Sequence, residues 1–400
     1  MKLDLKSIFM SNSKVDFSNT SVAFHLKSDS ELERAYFLFK MISNEPLVRI
    51  GTAATNFALK ANLPVEGLIR STVFDHFCGG VSATDCLPKI SQMFQSGVSS
   101  VLDYSVEGKQ EEPQFDFVVF KTKELIDFTA EKTAMPFAVF KPTAIGRFDL
   151  YEKISSKQAL TTEECQEWDR VKARFYEICQ YAYDREVAVL VDAEESWMQD
   201  AADDLLLDLM RHFNQSKAVV YNTLQAYRWD RLAYLKQVKD TAEKEGFLLG
   251  FKLVRGAYME KERDRARNEH YKSPICETKQ ATDANFEACL KFSLDHLKTV
   301  SIFLGTHNEK STMDTVDFMT KNGISKTDSR IWFGQLYGMS DHISFNLADA
   351  NYNVAKYLPF GPIKDVMPYL IRRAEENTSV AGQTSRELKL IQAEKKRRKL

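Results

Sequence analysis

Nowhere in the 400 residues is there a C-x-x-C pair, an H-E-x-x-H motif, or a G-x-G-x-x-G turn following an apolar run. The first two absences argue against a zinc site, and the third against a Rossmann nucleotide site. Six scattered cysteines (Cys78, Cys86, Cys165, Cys179, Cys276, Cys289) suggest no disulfide framework and suit a reducing compartment. Basic charge is not in excess: 54 basic and 56 acidic side chains leave a net charge of -2, so no nucleic-acid partner is expected. No apolar run approaches the length that spans a bilayer. The opening MKLDLKSIFMSNSKVDF has no signal-peptide core and carries acids early, which disfavours a transit peptide. A cytoplasmic enzyme, peripheral on a membrane at most, is the expectation.

What is present is ordinary for a globular chain: 44% hydrophobic and 28% charged residues, with no internal repeat. Up to about residue 95 the pattern is helical. Ser28-Asp29-Ser30-Glu31 has the form of a helix start, and 85–94 forms another candidate helix. From Val98 onward short β-branched runs alternate with long amphipathic segments, the grammar of βα units. The runs are 99–104, 137–140, 187–191, 218–224, 248–254, 301–305, 330–333 and 353–358, with crossover helices expected at 115–132, 163–183 and 229–245. Eight strands in this span fit a distorted (β/α)8 barrel better than an open doubly wound sheet. The expected division is an N-terminal helical segment 1–97, a barrel 98–382 and a basic tail 383–400.

A barrel of this kind gathers its chemistry where strands end. Polar residues do follow the runs: Lys141, Asp192, Gln225, Arg255, His307 and Gln335, with Tyr357 near the end of the eighth. Each has a plain alternative. Asp192 opens Asp192-Ala193-Glu194-Glu195, and acids there often cap the next helix. His307 suits a hydrogen-bonded core position, and Tyr357 suits packing.

Two segments carry more. Tyr369-Leu370-Ile371-Arg372-Arg373 lies on an expected helix 363–376 after the turn Pro359-Phe360-Gly361-Pro362, so Tyr369 shares a face with two guanidinium forks suited to a carboxylate. An Arg-Arg pair is also common on solvated surfaces. Phe251-Lys252-Leu253-Val254-Arg255-Gly256-Ala257-Tyr258 ends a strand in basic residues, then small ones that let a flat cofactor approach the backbone.

With these motifs, Thr306-His307-Asn308, and Tyr357-x-Pro-x-Gly followed by Tyr369-Leu370-x-Arg372-Arg373-x-x-Glu376-Asn377, the chain resembles the FAD-dependent proline dehydrogenases, and looks closer to their stand-alone, eukaryote-like branch than to the bifunctional bacterial enzyme. The resemblance runs from about residue 75 to 387. It implies a barrel with FAD at its mouth, oxidation of L-proline to Δ1-pyrroline-5-carboxylate, and electrons passed to a quinone, which brings the protein to a membrane surface. It implies that Arg372, Arg373 and Lys141 hold the proline carboxylate, with Asp192 beside the amine. Tyr357, Tyr369 and Leu253 would enclose the ring, and Tyr258 would support it. Gln225, Lys252, Val254, Arg255, Gly256, His307, Asn308, Gln335 and Glu376 would line FAD. A separate pyrroline-5-carboxylate dehydrogenase would consume the product.

Two positions depart from the family pattern. Lys252 stands where bacterial members usually have arginine, and Val81 stands where a glutamate often pairs with a clamp arginine. Hydroxyproline-oxidising relatives tend to have a smaller residue at Tyr357, so hydroxyproline dehydrogenase is the nearest alternative. A Schiff-base lyase using Lys141 or Lys252, and a carboxylate-binding barrel without flavin, are the others.

Overall fold

A computed structural model describes residues 14–61, 64–104, 111–379 and 383–400. Its eight strands close a parallel barrel in the order β1 to β8. They are β1 Val98–Tyr104, β2 Phe137–Phe140, β3 Ala188–Val191, β4 Val220–Gln225, β5 Leu249–Val254, β6 Val300–Gly305, β7 Ile331–Leu336 and β8 Val354–Phe360. All eight expected runs are strands, and the fold is the expected (β/α)8 barrel. The largest boundary difference is in β7, which continues past 333 through Gly334. A glycine reads as a strand end, but here it pairs in register with Ala355. The chain forms two compact units, 108–332 and 1–107 with 333–400, taken in turn.

In 108–332 the register decides what faces the barrel interior. Laterally paired residues of parallel strands point the same way, and the side alternates at each residue. Phe137 pairs with Ala188, Val139 with Leu190, Leu190 with Tyr221, Thr223 with Lys252, and Lys252 with Phe303. The rings of Tyr221, Phe303 and Trp332 stand edge-on to Phe137 at centroid distances of 5.6, 5.3 and 5.4 Å, which identifies this face as the interior. Truncating Phe137 would forfeit about 3–5 kcal/mol of this packing. The opposite face meets the helices: Phe251 packs on Tyr234 of helix Arg231–Glu245, and Asn222 donates to Asp203 of helix Ser196–Phe213.

The crossover helices carry their start signals in sequence. Thr161 and Glu164 form a reciprocal capping box at the head of helix Thr162–Asp184, and Thr278 caps helix Lys279–Asp295.

In the other unit β8 pairs with β1 along its whole length, Val98↔Val354 to Tyr104↔Phe360, and with β7 from Phe333↔Val354 to Leu336↔Tyr357. Tyr357 therefore shares the inward face with Leu336 and Val101, and Lys356 points to the helix layer. Lys356 is completely buried; its ammonium donates to the Met339 carbonyl at 2.7 Å and pairs with Asp341 at 2.8 Å. Asp341 also pairs with Lys27 at 3.1 Å. These two ammonium groups overcome burial and hold the Asp341 carboxyl well below the usual carboxylate range.

The expected helix start at Ser28 is the N-cap of helix Asp29–Ile42, where Ser28 and Glu31 form a capping box. The basic tail is a helix, Gln383–Arg398. Leu390 and Ile391 bury themselves against Phe24, Leu32, Ala35 and Phe39. Lys395 pairs with Glu33 at 2.7 Å, and Arg398 reaches the Phe24 carbonyl at 2.8 Å and Asp29 at 3.0 Å.

Candidate active site

Carrying the alternation one residue past β2 and two steps along from Leu190 in β3 brings Lys141 and Asp192 onto the interior side, with Gln225, Lys252 and Val254 already there. The five lie at the C-terminal ends of neighbouring strands. Asp192 joins two of them: Lys252 donates to its Oδ1, and Lys141 Nζ lies 3.7 Å from its Oδ2. One carboxylate thus stands between two ammonium groups, with Lys252 buried and Lys141 about a quarter exposed. The helix that follows Asp192 has Glu195 at its N-cap, with no bond from the Glu195 side chain to the helix N–H groups. The first N–H of the next helix, at Ser196, goes instead to Glu262, which takes the Ser196 N–H and hydroxyl, each at 2.6 Å.

Glu194 was legible only as a possible cap, and its carboxylate does something else. It accepts the Thr143 N–H at 3.0 Å and the Thr143 hydroxyl at 2.7 Å, across from the turn after Lys141. Burial pushes this carboxyl up to about 7, against the lowering effect of the Thr143 bonds and of Lys141. Gln225 donates to the Glu194 carbonyl at 3.0 Å.

Past β5 the chain turns at Gly256 with φ of +126°, and an added Cβ would stand 2.5 Å from the Tyr227 ring. Both the dihedral and the close approach require glycine. Arg255 is anchored to Asp283 at 2.7 Å and Thr306 at 3.0 Å, and lies over the Phe286 ring at 4.1 Å. Tyr258 precedes helix Met259–Asn268, with its carbonyl accepting from Glu262. His307 is half-buried after β6, and Asn308 caps helix Glu309–Lys321 by accepting from Ser311 N–H at 2.9 Å.

Two expected site residues lie elsewhere in the register. Leu253 is on the helix-facing side of β5 with Phe251, opposite Lys252. Gln335 sits within β7 on the side of Phe333, which packs on Tyr352, and accepts from Ser344 of helix Asp341–Asp349 at 2.8 Å. A strand ending at 333 would leave Gln335 beyond it, whereas β7 runs on to Leu336.

In the other unit, helix Met367–Ser379 begins four residues later than expected, since 363–366 form a turn after Pro362. Ile363, Val366, Met367 and Leu370 bury themselves against Ile42, Ile69, Phe74 and Phe77, which fixes the helix rotation. The Arg373 guanidinium lies 5.2 Å from the Tyr369 ring centroid, the expected shared face, while Arg372 is half-buried. The Glu376 side chain falls outside the described residues. Val81 is exposed, next to Gly79 and Gly80, whose backbone bonds to the end of β8.

The donors at the ends of β4 and β5 fit a flavin. Amide and ammonium donors (Gln225, Lys252) suit the polar edge of a ring that gains negative charge on reduction, and the Gly256 turn brings bare backbone beside them. Among the described residues no cluster suited to a metal ion occurs, and no helix is long and apolar enough to cross a membrane.

A closed parallel barrel with ionised and amide groups collected at the C-terminal strand ends defines an enzyme of the (β/α)8 class. Residues 86–386 match the family model described as proline dehydrogenase. The chain is 36% identical over 333 residues to the carbapenem antibiotics biosynthesis protein CarD of Pectobacterium carotovorum, covering 83% of this chain and 86% of that one. It is 31% identical over 435 residues to the mitochondrial proline dehydrogenase 1 of Arabidopsis thaliana (97% and 87% covered), and 30% identical over 421 residues to a hydroxyproline dehydrogenase of Xenopus laevis (96% and 90%). Among solved structures, proline utilization A from Bdellovibrio bacteriovorus, inactivated by N-propargylglycine, superposes with a TM-score of 0.70 at 22% identity. That match covers 91% of this chain and 37% of the other, and it supports the fold. The chain belongs to the proline dehydrogenase family and is an oxidoreductase, which removes the Schiff-base lyase reading; family membership implies FAD dependence and oxidation of proline or hydroxyproline.

Proposed function

We propose that the protein oxidises L-proline to Δ1-pyrroline-5-carboxylate and passes the electrons to a quinone. The observation that carries the substrate choice is Tyr357, inward-facing on β8 and 7% exposed, where a smaller side chain would leave room for a 4-hydroxyl. Arg372 and Arg373 supply planar forks for the carboxylate, and Lys141 a third cation. Tyr369, held under Arg373, covers the apolar ring, with Tyr258 in support. Asp192 keeps Lys141 and Lys252 in place and offsets their mutual repulsion.

Gln225, Lys252, Val254, Arg255, Gly256 and His307 are the residues that would hold FAD. Bound FAD would supply the two-electron acceptor. The chain's own contribution is orientation and exclusion of water, which lower the entropic part of the barrier. The substrate nitrogen must be unprotonated for its lone pair to form the C=N bond as the C5–H bond breaks, so activity rises with pH until that proton is gone. Contact with a quinone makes the protein peripheral on a membrane, and the product, which opens to glutamate semialdehyde, passes to a separate pyrroline-5-carboxylate dehydrogenase.

The test is a comparison of kcat/KM for L-proline and 4-hydroxy-L-proline in the wild type and in Tyr357→Ser. Wild-type preference for proline that collapses or reverses in the variant supports the reading. Equal use of both substrates by the wild type overturns it.

A further inference from the structure

Glu194 makes four hydrogen bonds, three of them to the ends of β2 and β4, yet the proposed function gives it no contact with substrate or flavin. Its carboxylate takes both donors of Thr143, in the turn Pro142–Ala144 that follows Lys141. Its carbonyl takes the Gln225 amide at the end of β4. Its N–H donates to Gln199 of helix Ser196–Phe213 at 2.9 Å, and Gln199 is in turn bonded to Asp203 at 2.8 Å. The residue is 7% exposed. A capping acid would bond the N–H groups of its own helix, whereas this carboxylate bonds to the turn after a different strand. The ends of β2, β3 and β4 are thereby fixed to one another through one residue, its carboxylate holding the turn after β2 and its main-chain carbonyl holding the end of β4.

We infer that Glu194 is a positioning residue: it holds the turn carrying Lys141 against Gln225, and a change in its protonation changes that hold. This rests on the reading that Lys141 binds the substrate carboxylate. The groups facing Glu194 are Lys141 at the end of β2, Glu195 beside it (itself paired with Lys261), and the hydroxyl of Tyr151 in helix Phe148–Ser155, which donates to the Pro142 carbonyl at 3.0 Å. Asp192 lies two residues before it, tied to Lys141 and Lys252. Burial raises the Glu194 carboxyl to about 7, so the proton comes and goes near neutrality. The ionised form accepts both Thr143 bonds. The protonated form can keep two bonds only if one oxygen becomes a donor and the Thr143 hydroxyl reverses.

Two variants separate geometry from charge. Glu194→Gln can keep both bonds, with its oxygen accepting from Thr143 N–H and its amide donating to the hydroxyl, but it cannot ionise. Glu194→Ala keeps neither. In the FAD-loaded enzyme, the probe is tetrahydrofuran-2-carboxylate, the oxygen analogue of proline, with binding read from the flavin absorbance. Glu194→Ala is expected to weaken the probe and raise the KM for proline by at least about ten-fold, with kcat changed by less than about three-fold. Glu194→Gln is expected to stay within about three-fold of the wild type at pH 7, and to lose the inflection near pH 7 in log kcat/KM that the wild type carries. A lower melting temperature in Glu194→Ala with KM and probe binding unchanged would mean a purely structural role and overturn the inference.

Amide hydrogen exchange over residues 141–146 needs no substrate. It should be faster in Glu194→Ala and wild-type in Glu194→Gln, and unchanged exchange in Glu194→Ala overturns the inference. If Glu194→Ala does not fold, Thr143→Val takes its place, with the same KM-only defect expected and an unaltered KM overturning it. A wild type that neither binds the probe nor oxidises proline contradicts the substrate reading, and the exchange measurement then decides the role of Glu194 alone.

Discussion

Lys252 donates to Asp192 across the barrel mouth, from β5 to the turn after β3, with β4 between them. The pair is partly buried, so its members hold each other's position more firmly than surface ions do, and loss of one leaves the other uncompensated. Asp192→Asn is therefore expected to lower kcat/KM by about 100-fold, and Lys252→Met by a similar factor. The double variant should be markedly less than additive, with a coupling of at least about 1 kcal/mol. Steady-state kinetics on the four proteins check this, and strict additivity would mean that the pair does not act as a unit.

Gly256→Ala must lose stability on two counts, a left-handed φ and a Cβ driven into the Tyr227 ring. The expected cost is at least about 2 kcal/mol, together with weakened FAD retention because the turn between Arg255 and Tyr258 shifts. Thermal unfolding and the ratio of flavin to protein absorbance measure both. A variant with the melting temperature and flavin content of the wild type contradicts the assignment of this turn.

Glu194 and Asp341 titrate with opposite consequences. Folding raises the Glu194 carboxyl to about 7 from an ordinary 4.5. Its contribution to stability is whole below about pH 4.5 and is lost as pH rises through 7, a fall of about 3 kcal/mol at most. Glu194→Gln should flatten that part of the stability curve and be at least as stable as the wild type above pH 7. Urea unfolding at pH 5, 6, 7 and 8 reads the slope, and identical slopes in the two proteins contradict the assignment.

Asp341 is the reverse, because Lys27 and Lys356 hold its carboxyl down. Its contribution is present above the ordinary carboxylate range and is lost as pH falls through its lowered folded value. Asp341→Asn leaves the buried Lys356 ammonium and the half-buried Lys27 ammonium without their shared counter-charge and is expected to cost about 3–5 kcal/mol at neutral pH. A melting temperature within a degree of the wild type would show that the three charges are not coupled.

The barrel was legible because its strands are short, β-branched and separated by long amphipathic segments, so that even the unpaired sequence shows eight units. Lys141, Asp192 and Gln225 could be placed at strand ends because a polar residue just past an apolar run falls there whatever the details, whereas Lys252 lies inside its run and stood out only through the basic segment 251–258. Facing was not legible to the same degree. One misplaced strand end, at Gly334, put Gln335 beyond β7 rather than within it, and Leu253 adjoins Lys252 in sequence while lying on the opposite side of the strand. The partner of Glu194 is Thr143, 51 residues away in sequence, and no local pattern signals a bond across two βα units. The tail showed its charges more plainly than its stripe of Leu390 and Ile391, so its packing on helix Asp29–Ile42 could be read only from the fold.

The most direct test of the whole account is the visible spectrum of the purified protein before and after anaerobic addition of L-proline. The expected result is a bound-flavin spectrum that bleaches with L-proline and barely changes with 4-hydroxy-L-proline. A flavin that stays oxidised in L-proline would contradict the proposed substrate, and a protein that takes up no FAD on reconstitution would contradict the flavin site itself.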